Sequence, residues 1–273
     1  MLRTGFSTCP NDTFVFDALV HHRINTLHYQ FAPFLLDVQE LNQQALSDEP
    51  IDIIKVSCAH LPSLLDRYVV LNAGAALGYN CGPLLVAKEI QTKQRLTEST
   101  VATPGEHTTA HFLLTRFFPE ITRKEVMLFS DIEPAILQGK ADAGVIIHES
   151  RFTYRELGLH LLADLGQMWH DQTQMPLPLG CIVVSRSLPK QTIHDINRLL
   201  KESIEYARKN PDASKEYVQQ HAVSLRQEVI RQHIGLYVNR YTVDLGMEGK
   251  QAITSLLANY LPKDHPPLFA DEL

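Results

Sequence analysis

The run Leu179-Gly180-Cys181-Ile182-Val183-Val184 is a short apolar strand, and the chain beyond it is patterned almost wholly as helix. It has a counterpart far upstream, Pro83-Leu84-Leu85-Val86-Ala87, equally apolar and equally strand-like. Between them lies a stretch with its own alternation of strands and helices. We read the two runs as crossovers between two lobes. Residues 1–87 and 179–273 then form a large discontinuous lobe, and residues 88–178 a smaller inserted one.

Working outward, the first lobe shows strands over Leu2–Ser7, Tyr29–Leu35, Ile51–Val56 and Val69–Ala75. Helices are predicted over Asn11–His22, Val38–Leu46 and Ala59–Asp66. The insert shows strands over Ser99–Thr103, Glu125–Phe129 and Ala143–Ile147, with helices over His107–Phe118 and Ile132–Gln138. After the strand Cys181–Ser185, helices are predicted over Gln191–Lys209, Pro211–His221, Gln227–Asn239 and Asp244–Tyr260. This rhythm predicts an α/β protein with largely parallel sheets. A ligand cleft is expected between the lobes.

Composition narrows the function. The 273 residues are 44% hydrophobic and 21% charged, ordinary for a globular chain and unlike a disordered or disulfide-dense one. No apolar stretch reaches the roughly 18 residues that span a bilayer, so no membrane partner is expected. Lys and Arg number 25 against 31 acidic residues, a net charge of −6, and no basic stripe stands out, so no nucleic-acid partner is expected. A small anionic ligand is compatible with this balance, because a pocket can be locally positive. Polar Thr4, Ser7 and Thr8 interrupt any apolar secretory core, which makes the cytoplasm the expected compartment. Cys9, Cys58, Cys81 and Cys181 form no C-x-x-C pair and read as buried thiols. No G-x-S-x-G elbow, phosphate-binding P-loop or G-x-G-x-x-G motif occurs.

Four polar segments follow predicted strands and precede helices, which is where open α/β sheets bind ligands. The first is Ser7-Thr8-Cys9-Pro10-Asn11-Asp12-Thr13. Asn11 or Asp12 serves as a helix cap on one reading, and Ser7 as a ligand donor on the other. The second is Val56-Ser57-Cys58-Ala59-His60, in which Ser57 is a ligand donor or an N-cap and His60 a surface residue. The third is Thr103-Pro104-Gly105-Glu106-His107-Thr108-Thr109-Ala110. Gly105 permits close backbone approach, and Thr108 and Thr109 add hydroxyls to first-turn amides, a combination suited to a carboxylate. His107 and His111 stand four apart, a metal-ligand spacing, but the general-base Glu of H-E-x-x-H and a third ligand are missing, so no metal is expected. The fourth runs from Gly144 through His148-Glu149-Ser150-Arg151 to Tyr154. His148 follows an apolar strand directly. It is either a structural histidine bonded to a loop or a group that takes and returns protons near neutral pH.

The strings GFSTCPNDTFVFDALV (5–20), TPGEHTTAHFLL (103–114), AGVIIHESRFTY (143–154) and PLPLG (176–180) together resemble the 1,4-dihydroxy-6-naphthoate synthases of the futalosine route to menaquinone. The resemblance runs through most of the chain. It implies a two-lobed fold similar to type II periplasmic binding proteins and no metal or organic cofactor. It implies cleavage of cyclic dehypoxanthinyl futalosine to the naphthoate by a carbon–carbon lyase, with His148 as the base. Substrate contacts are then expected from Thr108, Thr109, Ser57, Ser7 and, through its amide, Asn42. Arg3, Lys55 and Arg151 are unranked carboxylate partners. The competing readings are a chorismate dehydratase of the same pathway and a non-catalytic small-anion-binding protein. The H-E-S-R-F-T-Y string favours the naphthoate synthase. Monomer and homodimer both stay open.

Overall fold

The structure is a computed structural model that describes residues 1–49, 51–224 and 226–273. In chain order the first segment holds β1 (Leu2–Phe6), α1 (Pro10–Val20), β2 (Phe31–Leu35), α2 (Val38–Leu46), β3 (Ile53–Ser57), a 3₁₀ turn (Cys58–Ser63), β4 (Tyr68–Val70) and β5 (Ala76–Gly78). The middle holds β6 (Leu84–Ala87), α3 (Lys93–Glu98), β7 (Val101–Thr103), α4 (Thr109–Phe117), β8 (Lys124–Val126), α5 (Phe129–Leu137), β9 (Ala143–Ile146), α6 (Ser150–Thr153), β10 (His160–Asp164) and α7 (Leu165–Thr173). The last segment holds β11 (Leu177–Ser185), α8 (Lys190–Lys209), α9 (Lys215–His221), α10 (Gln227–Tyr237), α11 (Arg240–Val243) and α12 (Gly246–Leu257).

Two compact units result: Met1–Gly78 with Pro178–Leu273, and Tyr79–Leu177. The run Pro83–Ala87, assigned from sequence to the first lobe, lies in the second unit. There β6 is hydrogen-bonded between β10 and β9. A five-residue apolar run carries no record of its partners, so the sequence could not choose its sheet.

In the first unit the strand order is β2-β1-β3-β11-β4, with β5 on β11. β1 runs parallel to β2 and β3, while β11 runs antiparallel to β3 and β4. In the second unit the order is β10-β6-β9-β7-β8; β7 is parallel to β8 and β9, and β6 is antiparallel to β9 and β10. The sheets are therefore mixed rather than largely parallel, because the strands at each chain crossing enter against the local direction.

Local chemistry explains most boundaries. Asp37 and Glu40 form a reciprocal capping box at the start of α2, with Gln39 N 2.8 Å from Asp37 Oδ1 and Asp37 N 2.9 Å from Glu40 Oε2. α8 buries Ile193, Ile196, Leu199, Leu200, Ser203, Ile204 and Ala207, one stripe at helical spacing. Its Ser203 hydroxyl donates to Val15 O at 2.6 Å and accepts from Leu19 N at 3.1 Å, locking α8 against α1. Phe6 and Phe16 stack at 4.3 Å in the same core. α1 is buried from Pro10 through Leu19, polar Asn11, Asp12, Thr13 and Asp17 included, so its sequence shows no apolar stripe. The second core gathers Leu84, Val86, Ala102, Ile132, Ile146 and Tyr154. Each large apolar side chain so buried contributes about 1.5–3 kcal/mol.

Three local expectations need correction. Ala59–Asp66 is not an α-helix: Pro62 sits inside the segment, which closes as a 3₁₀ turn instead. Val69–Ala75 is not one strand, because Gly74 turns the chain at φ +90 before β5. Neither Asn11 nor Asp12 caps α1. Cys9 takes the cap position without a side-chain bond, and both residues sit inside the first turn.

Candidate active site

The parallel pairs decide where chemistry can gather. β1 and β3 run together with Thr4 opposite Ile53, so the Ser7 and Ser57 segments leave the same end of the first sheet. β7 and β9 run together with Val101 opposite Ala143, so the Thr103–Thr109 and His148 segments leave the same end of the second. Each unit thus presents two of the four polar segments side by side at carboxyl strand ends.

In the first unit those hydroxyls have fixed roles. The Ser7 hydroxyl donates to Asp12 Oδ2 at 2.7 Å and accepts from Cys9 N at 3.3 Å. Its proton is therefore committed, and Ser7 can meet a further group only as an acceptor. Asp12 Oδ1 also receives Lys55 Nζ at 3.0 Å and Asn11 Nδ2 at 2.7 Å. Asn11 Oδ1 in turn lies 2.9 Å from His233 Nε2. Asp12 and Lys55 form a buried ion pair, with side-chain exposures of 4% and 7%. Gly180 makes room for it, since a Cβ there would stand 2.9 Å from Lys55 Cε. Ser57 is the complement of Ser7. Asn42 Nδ2 donates to Ser57 Oγ at 3.0 Å, and Ser57 N donates to Asn42 Oδ1 at 2.8 Å. The Ser57 proton is the part left to give. Asn42 is fully buried and turns both ends of its amide to Ser57, so it acts through Ser57. His60 is buried as well, its Nε2 3.2 Å from Asn42 O, rather than on the surface.

In the second unit Thr108 is the N-cap of α4. Its Oγ1 accepts from His111 N at 3.1 Å and donates to Gly105 O at 2.7 Å. Gly105 holds φ +141, a conformation open to glycine. Thr109 is the first helical residue and is buried. With His111 N capped by Thr108, the N-terminus of α4 stands just beyond the end of β7, and a helix N-terminus attracts negative charge. His111 Nδ1 lies 3.1 Å from Thr103 Oγ1, and burial lowers its pKa, with Lys124 and His107 acting in the same direction and Glu106 against them. Among the described residues no three His, Cys, Asp or Glu side chains gather as a metal site.

His148 follows β9 in a left-handed conformation, φ +55, uncommon outside glycine. It is half-buried, and its ring meets Phe129 edge-on with centroids 4.9 Å apart. Such backbone costs of order 1–3 kcal/mol and persists where the surroundings over-determine it, often at functional sites. Glu149 beside it is buried. The Ser150 hydroxyl donates to Glu133 Oε2 at 2.7 Å.

The basic candidates separate clearly. Arg151 donates to Gly82 O and to Asp164 Oδ2 at 3.0 Å, while Asp164 Oδ1 caps α7. It is a strut within its own unit. Arg3 pairs with exposed Glu49 at 3.0 Å. Lys55 is held by Asp12. All four cysteines are buried and free of disulfides. Burial pushes the Cys81 thiol up to about 12 and raises Cys58 beside Cys181, so neither is suited to nucleophilic work. Sequence reasoning missed the Asp12–Lys55–His233 network. Its one signal was a lysine inside the otherwise apolar β3, which demands a buried partner.

The menaquinone-biosynthesis family profile matches residues 2–260. The chain belongs to the menaquinone-biosynthesis family. Two family relatives are each named 1,4-dihydroxy-6-naphthoate synthase. One, from Thermus thermophilus, is 43% identical over 257 residues, covering 94% of this chain and 93% of its own. The other, from Streptomyces coelicolor, is 42% identical over 264 residues, covering 94% and 91%. A solved protein of Archaeoglobus fulgidus superposes with TM-score 0.89 at 32% identity, covering 94% of this chain and 95% of its own. The ligand-binding component of a Staphylococcus aureus import system superposes at 0.68 with 13% identity, covering 97% and 94%, a likeness of fold alone. This menaquinone-biosynthesis family member is thus an α/β enzyme with a periplasmic-binding-protein-like fold. Among its described residues no helix is long and apolar enough to cross a membrane.

Proposed function

We propose that the chain is a carbon–carbon lyase that converts cyclic dehypoxanthinyl futalosine to 1,4-dihydroxy-6-naphthoate, acting in the cytoplasm without metal or organic cofactor. The observation that carries the reading is His148, held at φ +55 beyond β9 at the same sheet end as the α4 N-terminus. His148 removes a substrate proton to start the cleavage, and aromatisation of the naphthalene ring drives the step forward. A positioned general base is worth roughly 10²–10⁴ in rate.

The first turn of α4, at Thr109, receives the anionic group of the small-molecule substrate, while Thr108, whose amide and hydroxyl protons both go to Gly105 O, fixes that turn as its cap. A hydrogen bond to a charged group contributes about 1.5–3 kcal/mol, enough to position the substrate but not to supply the rate. Ser57 gives a proton to a substrate acceptor, and Ser7 accepts one from a substrate hydroxyl. Asn42 sets the Ser57 hydroxyl.

The test is turnover of purified protein with cyclic dehypoxanthinyl futalosine and a chelator present, followed by naphthoate absorbance. Product that survives the chelator supports the reading. Tight binding without product would make the protein a binder, and dehydration of chorismate instead would make it the sibling enzyme.

A further inference from the structure

The turn that carries His148 is held from behind by α5. Phe129 opens that helix and Glu133 stands one turn further, so both project from one face. Phe129 meets the His148 ring edge-on, 4.9 Å between centroids and 75° between planes. Glu133 Oε2 accepts the hydroxyl of Ser150 at 2.7 Å. Ser150 is buried and begins α6, two residues past His148. One helix face therefore grips the turn at two points, one on the histidine ring and one on the chain just beyond it.

Two features show that Glu133 is more than a surface carboxylate. Its Oε1 is buried and makes no hydrogen bond among the described residues. Burial also raises its pKa, with the Ser150 hydrogen bond pulling the other way. A carboxylate with an unsatisfied buried oxygen is costly, and fold stability alone would be better served by an apolar side chain there. Meanwhile His148 needs restraint, because its left-handed backbone relaxes unless its surroundings fix it.

We infer that Glu133 is a positioning residue for His148, acting through the Ser150 hydroxyl to hold the turn in its strained conformation; this rests on His148 being the base. A small misplacement of a catalytic group costs rate on the order of 10–100-fold. The loss should fall on kcat, because neither Glu133 nor Ser150 is placed on the substrate.

The experiment compares kcat and KM for wild type, His148→Asn, Glu133→Ala, Glu133→Gln, Ser150→Ala and the Glu133→Ala/Ser150→Ala double variant. The expected result is a kcat loss of ten-fold or more in Glu133→Ala and in Ser150→Ala, with KM within about two-fold of wild type. Glu133→Gln, which keeps a carbonyl acceptor, should recover most of the rate. The double variant should be no slower than the slower single, because both break one link. If Glu133→Ala fails to fold, Ser150→Ala and Glu133→Gln carry the same comparison. Wild-type kcat in Ser150→Ala, or multiplicative losses in the double variant, would overturn the inference while His148→Asn stays inactive. A near-normal kcat in His148→Asn would instead overturn the base assignment, and this inference with it.

Discussion

Lys55→Met is the sharpest perturbation of the first unit. The Lys55 ammonium sits 3.0 Å from Asp12 Oδ1, with both side chains below a tenth exposed. Removing one partner of a buried pair typically costs 3–5 kcal/mol, because the other charge is stranded. Asp12 would keep three donors, Ser7 N at 3.3 Å, Ser7 Oγ at 2.7 Å and Asn11 Nδ2 at 2.7 Å. Those bonds hold the loss toward the lower end, about 3 kcal/mol. Domains of this size lose about 2–4 °C in Tm per kcal/mol, so a drop of about 6–12 °C is expected. Asp12→Asn strands the lysine instead, whose other acceptor among the described residues is Gly74 O at 3.5 Å. The Lys55→Met/Asp12→Asn double variant leaves neither charge and should lose clearly less than the two singles combined. Thermal melts at pH 7 in low and high salt read all three. The loss should persist in high salt, since a buried pair is little screened. A Lys55→Met melt within about 2 °C of wild type would refute the reasoning.

Other perturbations separate binding, stability and pH. Thr108→Ala removes the α4 cap, so it should lower stability by about 1 kcal/mol in a urea titration and raise KM more than it lowers kcat. Gly82→Ala should fail to give folded protein, or melt far below wild type, because its Cβ would lie 2.3 Å from Gly166 Cα. The unfolded His111 takes up its proton near its ordinary value of about 6.5, whereas burial delays uptake in the folded state to lower pH. The unfolded chain then binds more protons, so stability should fall as pH drops below about 6.5. Urea titrations from pH 7.5 downward should show a shallower fall in His111→Asn, and identical slopes would contradict this.

The legible parts of the fold were those written in local chemistry. Helix α2 matches its expected span, Val38–Leu46, because the capping box and the apolar spacing lie in adjacent residues. The stripe of α8 was equally plain. Strand direction was not, since β6 and β11 look alike in sequence and differ only in the partners that the tertiary fold supplies. The segment from β10 through α7 carries no decisive local pattern in the sequence. Its helix begins on an Asp164 cap that also pairs with Arg151, a dual role no local pattern announces. At the candidate site, the four strand-end segments were found from their position alone. What each hydroxyl can do was not, because the direction of the Ser7 and Ser57 protons depends on Asp12 and Asn42, one side chain reaching in from a helix turn and the other from a separate helix.

The most direct test of the account is the His148→Asn variant, with kcat from naphthoate absorbance and substrate affinity from calorimetry on the same preparation. The account predicts a kcat lower by roughly 10²–10⁴ with affinity nearly unchanged. A kcat close to wild type would contradict it, and so would a loss confined to affinity.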